Sequence, residues 1–213
     1  MEENRFYHPE TLELKQVVEL GAQTHIHATK VLRLKVGDQF ALFNGDGFDY
    51  VAKVTEVSKH KTFVEIINQY EVNHESLLKI TLAQSLAAGD KMDWIIQKAV
   101  ELGVHTVQPL LTERSIIKLD RERADKKLEH WKTIAISACE QTGRATIPVI
   151  LSPIHFNQWL SEENLKTDNL KLILTPSKAQ NINHLDKLSN SIVFLVGPEG
   201  GFSEKEDRKS TRL

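Results

Sequence analysis

The sequence predicts an α/β protein in which a small β unit precedes a larger domain of alternating strands and helices. Between Arg33 and Tyr70, β-branched and aromatic residues alternate with polar ones and are broken by short turns. A polar stretch, Asn73-His74-Glu75-Ser76, interrupts that pattern, and beyond it short apolar runs alternate with segments of helical period. Strands interleaved with helices imply a mostly parallel sheet covered on both faces. The expected domains are residues 1–72 and 73–213.

Taken in order, a helical segment bearing His27, Val31 and Leu34 among Lys30 and Arg33 is expected to pack across one end of the β unit. Strands follow at 38–44, 48–57 and 62–70, joined by the turn Asn44-Gly45-Asp46-Gly47 and by the basic turn 58–61, which makes the unit antiparallel. Residues 79–86 form a compact apolar strand. Gly89-Asp90 then opens a helix, with Asp90 as its cap, Met92, Ile95, Ile96, Ala99 and Val100 on its apolar face, and Gly103 as its stop. After a strand over 104–111, a long helix from Asp120 to Thr142 turns Leu128, Trp131, Ile134, Ala135 and Ala138 inward and stops at Gly143. Short strands at 146–151, 170–175 and 191–196, with a helix around 156–163, complete the pattern. Ligands of such sheets bind outside the carboxyl ends of the strands.

Composition removes several function classes. With 213 residues, 40% hydrophobic and 26% charged, the chain suits one large or two small globular domains rather than a disordered or collagenous protein. No apolar run approaches the roughly eighteen residues of a membrane span. The opening MEENRFYHPE has neither the basic nor the apolar part of a secretory leader, so a cytoplasmic protein is expected. A single cysteine, Cys139, excludes an intrachain disulfide and a multi-cysteine zinc site. A net charge of -2 argues against wholesale electrostatic binding of nucleic acid, so any such surface is local.

The strongest chemical signal is the strand 191–196 running into Gly197-Pro198-Glu199-Gly200-Gly201. Three glycines in five residues permit positive φ and close approach of backbone amides to a ligand, although a tight turn reads equally well. The loop lacks the Lys-Ser/Thr of a phosphate-binding loop, which demotes nucleotide triphosphate hydrolysis. Arg144, just past the glycine that ends the long helix, either holds a phosphate or carboxylate bidentately or answers the helix dipole. Cys139 reads as a small buried hydrophobe. Arg5, His8, Lys30, Arg33 and the turn Lys59-His60-Lys61 make a basic cluster suited to a phosphate backbone. His25 and His27 lack a third ligand at metal spacing.

These pieces also occur in a recognisable order: Arg5-Phe6-Tyr7-His8-Pro9, His27, Val31-Leu32-Arg33, Ile96-Gln97-Lys98, Glu101-Leu102-Gly103-Val104 and Glu113-Arg114. Lys126-Lys127-Leu128, Trp131, Ala138-Cys139-Glu140-Gln141, Gly143-Arg144, Pro148 and Gly197 to Gly201 follow. Over nearly the whole chain this order closely resembles the bacterial RsmE family, SPOUT-class methyltransferases of small-subunit ribosomal RNA. The resemblance implies a PUA-like small β-barrel for RNA contact and a SPOUT α/β domain with a trefoil knot. It implies S-adenosyl-L-methionine as cofactor, a homodimer, no membrane, and as partner the 16S rRNA of the small ribosomal subunit, methylated at N3 of a uridine (uracil 1498).

The same resemblance assigns Leu174 and Thr175 to a first cofactor loop and Gly197, Pro198, Glu199, Gly200 and Gly201 to a second. Arg5, His8, Lys30 and Arg33 become RNA contacts, and Arg144 the candidate for holding the target phosphate or anionic base. Glu140 and Glu199 have the chemistry of a general base, but neither is assigned. The family's third loop, with its Gly-Pro-Arg and Leu-Arg-Thr-Glu-Thr-Ala patterns, is missing after Glu206, where Asp207 to Leu213 shows no apolar periodicity. The expectation is a C-terminally truncated chain with an incomplete knot, poor cofactor binding and no methyl transfer. The alternatives are an inactive RNA-binding relative and an unrelated nucleotide-binding enzyme using the glycine-rich loop.

Overall fold

The computed structural model describes residues 4–115, 120–164, 170–174 and 189–210. Two compact units emerge, one of residues 1–75 with 139–147 and the other of 76–138 with 148–213. The long helix therefore contributes its last turn to the first unit, a return of the chain that the expected boundary at 72/73 does not contain.

In the first unit five strands lie in the order β1-β3-β4-β5-β2, with β1 Arg5–Tyr7, β2 Val17–Glu19, β3 Gln39–Phe43, β4 Phe48–Val57 and β5 Thr62–Glu71. The three long strands fall where alternation predicts them. Two three-residue strands are additional, too short to show a period, and β1 pairs parallel with β3 (Phe6 opposite Leu42), so the unit is not purely antiparallel. Register shifts between Val51/Ala52 and Val54/Glu56 twist the β4–β5 ribbon. Phe6, Phe40, Leu42, Ala52, Val54, Val64 and Ile66 form the core. Helix α1, Ala22–Ile26, runs into a π-helical turn, His27–Val31, which drives Ala28 into that core with Leu32 and Leu34 packed against it.

The second unit is a parallel sheet in the order β10-β11-β6-β7-β8, comprising β6 Lys79–Ser85, β7 Thr106–Leu111, β8 Val149–Ile150, β10 Leu170–Leu174 and β11 Ser191–Val196; β9 Ile154–His155 also pairs with β7. The chain starts at the middle strand β6, builds outward through β7 and β8, then returns to fill the other side with β10 and β11. The order thus reverses between β6 and β11, whose register sets Val196 opposite Gln84. Helix α2, Lys91–Glu101, buries Met92, Ile96, Ala99 and Val100. Asp90 precedes it with helical backbone angles and no side-chain cap, contrary to expectation.

Gly103 (φ 85) and Gly143 (φ 74) end α2 and α3, Arg121–Thr142, as expected. Asp120 Oδ1 accepts the Arg123 amide at 2.9 Å and caps α3. Trp131 Nε1 donates to Asp93 Oδ1 at 3.1 Å, tying α3 to α2. Helix α4, Phe156–Asn164, sets Phe156, Trp159 and Leu160 against Ala83, Leu110, Val193 and Leu195. The tail read as unpatterned is helical over α5, Glu204–Ser210. Residues 175–188, through which a knot would have to be traced, lie outside the described residues, and among the described ones no helix is long and apolar enough to cross a membrane.

Candidate functional site

At the reversal of strand order, β11 delivers Gly197 to Gly201 beside the carboxyl end of β6. Gly201 adopts φ 69 and its amide donates to Pro198 O at 2.8 Å, a turn that a β-carbon would strain. A Cβ on Gly197 would stand 3.1 Å from the Phe202 ring. Gly200 is less demanding: its φ is not positive and a Cβ would meet Arg114 only at 3.9 Å. The need for glycine therefore rests on conformation at Gly201 and on packing at Gly197.

Side chains and backbone lash this loop to its neighbours. Glu199 Oε1 accepts Lys91 Nζ at 2.9 Å and the Ala88 amide at 3.3 Å, joining the loop to the one after β6. The Lys91 hydrogen bond, then backbone amides, hold the Glu199 carboxyl below its ordinary pKa. Arg114, exposed after β7, donates Nη1 to Gly200 O at 2.9 Å. Ser203 and Glu206 form a reciprocal cap of α5, and Glu206 Oε1 also accepts the Glu113 amide at 2.9 Å. Three loops at the carboxyl ends of β6, β7 and β11 thus form one network. Leu174 ends β10 at 56% exposure, and Thr175 lies outside the described residues.

Arg144 belongs to the first unit, where its side chain is already engaged. Its side chain is 7% exposed and its guanidinium grips Glu75 bidentately, at 2.8 and 2.7 Å. An arginine so engaged cannot take a phosphate without giving up a buried pair. Arg5 is equally committed: at 8% exposure it forks onto Asp49, donates to Cys139 O at 2.9 Å and Arg144 O at 3.1 Å, and lies 4.0 Å from the Phe43 ring centre. The Tyr7 amide donates to Glu140 Oε1 at 2.9 Å, so that carboxylate too is engaged in the first unit. Cys139, Glu140 and Arg144 therefore tie the residues at the end of the long helix to β1 and to Glu75 within the first unit. Burial pushes the Cys139 thiol up to about 11, against the lowering effect of Arg144.

Of the remaining basic residues, His8 is buried, and its Nε2 has no hydrogen-bond partner among the described residues. Desolvation lowers its pKa, opposed by Glu10. His25 Nδ1 lies 2.8 Å from Thr62 Oγ1 as part of the core. Lys30 and Arg33 are exposed where the π turn ends, and Arg33 is held at φ 55. Such strain marks functional surfaces more often than ordinary ones. Sequence reasoning missed the placement of Lys91, Arg114 and Glu206. Only Ser203 and Glu206, spaced as a capping box, left a readable signal.

A parallel sheet with a glycine-rich loop at its reversal, joined to a small β domain, matches two family models: an RNA methyltransferase domain over residues 73–212 and an RNA methyltransferase PUA domain over 27–67. That combination defines the class as the RNA methyltransferases. Within it, the chain belongs to the ribosomal RNA small subunit methyltransferase E family. It is 34% identical over 205 residues to the enzyme of that name from Buchnera aphidicola (subsp. Schizaphis graminum), covering 96% of this chain and 82% of the relative. The crystal structure of the Neisseria gonorrhoeae enzyme bound to S-adenosyl methionine superposes with a TM-score of 0.91 at 41% identity, covering 99% of this chain and 86% of that one. A Legionella pneumophila methyltransferase structure in complex with the same cofactor gives 0.92 at 38% identity, with the same coverage of each chain.

Proposed function

We propose that this protein is an S-adenosylmethionine-dependent methyltransferase that modifies N3 of a uridine, uracil 1498 of the family target, in 16S rRNA of the small subunit. It acts in the cytoplasm as a homodimer and contributes to ribosome biogenesis. The observation that carries this reading is the networked glycine-rich loop at the reversal of the sheet, in a chain of this family. The residues present suit the cofactor. Backbone groups of Gly197, Pro198, Glu199, Gly200 and Gly201 line the carboxyl end of β11, and Ser85 Oγ at the adjacent end of β6 is buried without a hydrogen-bond partner among the described residues. Those five residues, with Leu174 and Thr175, would hold the cofactor, whose sulfonium supplies an activated methyl group.

The protein must then place uridine N3 in line with that methyl group and ease loss of the imide proton. Arg114 is the cation best placed for this, since it reaches the glycine loop and remains exposed. Its guanidinium would stabilise negative charge developing on the uracil carbonyl oxygens. Lys30 and Arg33 would grip the RNA backbone from the first unit, which positions the substrate without reading its sequence. The deciding experiment is methyl incorporation into small subunits purified from cells lacking the modification, with mass spectrometry locating the methyl group. The sequence alone leads to an expectation of no transfer, but the glycine-rich loop keeps its hydrogen-bond network here, so incorporation at uridine N3 is expected. A correctly folded protein that binds the subunits but transfers nothing refutes the enzyme reading and leaves an RNA-binding one.

A further inference from the structure

Glu206 is 2% exposed, and a carboxylate so buried needs several donors. It has them from two directions. Oε2 accepts the Ser203 amide at 3.1 Å, while Ser203 Oγ accepts the Glu206 amide at 3.3 Å, which closes the capping box of α5. Oε1 instead leaves the helix and accepts the Glu113 amide at 2.9 Å, in the loop after β7. That second bond contributes nothing to capping. It crosses to a loop whose next residue, Arg114, holds Gly200 O at 2.9 Å.

From this geometry we infer that Glu206 is a positioning residue for methyl transfer: a buried bridge that fixes the 112–115 loop against Gly197–Gly201 and so sets both the cofactor loop and the Arg114 guanidinium. The inference rests on the reading of Gly197–Gly201 as the S-adenosylmethionine site. A carboxylate is required because both bonds are received from backbone N–H groups. Glutamine offers one oxygen and turns an N–H donor toward the other amide. The bridge is preorganised, so its effect appears as loop order before any ligand arrives.

Two variants break the bridge from opposite sides. Glu206→Gln removes one acceptor. Glu113→Pro removes the donor, at the second position of a turn closed by the Ser115 amide on Thr112 O at 3.1 Å, where proline is well tolerated. Ser203→Ala removes only the hydroxyl half of the cap, and Trp159→Phe perturbs the core around Ala83, Leu110, Val193 and Leu195 without removing either bond of the bridge. Hydrogen exchange of the peptides spanning 111–115 and 197–203 and calorimetry with S-adenosylmethionine are measured on all four and on the parent chain.

Both bridge variants are expected to exchange faster in those two segments and to bind S-adenosylmethionine about tenfold or more weakly. Ser203→Ala and Trp159→Phe should change affinity less than threefold, even where they lower the melting temperature. Unchanged loop exchange in folded Glu206→Gln and Glu113→Pro overturns the inference. So does a Ser203→Ala variant that loses as much affinity as Glu206→Gln, since capping alone would then explain the effect. A parent chain with no cofactor affinity refutes the site reading instead, while the exchange data still decide whether Glu206 orders the loops.

Discussion

In the first unit Arg5 and Arg144, with side chains 8% and 7% exposed, satisfy the carboxylates of Asp49 and Glu75 and the carbonyls of Cys139 and Arg144. In the second, Lys91 and Arg114 reach the glycine-rich loop from solvent with single hydrogen bonds. The same residue types therefore do opposite work. A buried, forked pair is costly to break and holds architecture, whereas an exposed single bond is screened and exchanges readily for a ligand. Arg144 is committed to a buried carboxylate, while Lys91 and Arg114 meet the glycine loop from exposed positions.

The sharpest way to break that contrast is to remove one cation from each region. Arg5→Met leaves the Asp49 carboxylate buried and should cost about 3 to 5 kcal/mol of stability. Arg114→Met should cost under about 1 kcal/mol yet abolish most methyl transfer. Urea titration of each variant, beside a transfer assay, measures both. Equal losses of stability would remove the distinction.

A smaller effect is expected within the loop itself. Gly201→Val forces a β-branched residue to φ 69, at a cost of roughly 1 to 2 kcal/mol, and should weaken S-adenosylmethionine binding about tenfold. Gly200→Ala should bind within threefold of the parent, because its φ is not positive and an added Cβ meets Arg114 only at ordinary van der Waals distance. Calorimetry on the pair tests whether conformation or mere glycine content shapes the site. Reversed ranking would move the constraint to Gly200.

On the exposed turn of the first unit, Lys30→Ala with Arg33→Gly should weaken binding to small subunits. The slope of log K against log salt should fall by about 1.4 if two single-strand phosphate contacts are lost. Glycine is the better replacement for Arg33, since it relieves the positive φ while deleting the charge, so stability should hold or rise. An unchanged slope would take the RNA contact away from this turn.

The smallest effects come from pH. Glu199 titrates below its ordinary range because Lys91 and backbone amides favour its charged form, so its contribution is complete above that range and fades as pH falls through the depressed value. Because the pair is exposed, the loss is modest and high salt should mimic it. Cys139 runs the other way. Its thiol is held up to about 11, so the folded state loses stability only as pH rises past the ordinary thiol value toward that figure. Loop exchange measured from neutral to acid pH, and thiol alkylation in native against urea-unfolded protein, check the two. Rapid native alkylation near neutral pH would contradict the burial of this thiol.

Sequence by itself determined the long elements, because their periods record which face is buried: β4, β5, β6, β7, α2 and α3 lie where alternation, helical period and the stops at Gly103 and Gly143 put them. It also determined the order of motifs, and through that order the family, and it located the glycine-rich loop at a strand end. Tertiary structure alone decided what each motif residue does. Three-residue strands carry no period, so β1 and β2 and the parallel pairing of β1 were invisible. Arg144 meets Glu75, distant in sequence, and Arg5 is held by Asp49 and two carbonyls, partners that no local pattern announces. The bond from Glu206 to the Glu113 amide spans 93 positions of chain, a distance over which no local pattern operates. Periodicity encodes burial along one element, while the partners of a charged side chain depend on which elements the fold brings beside it.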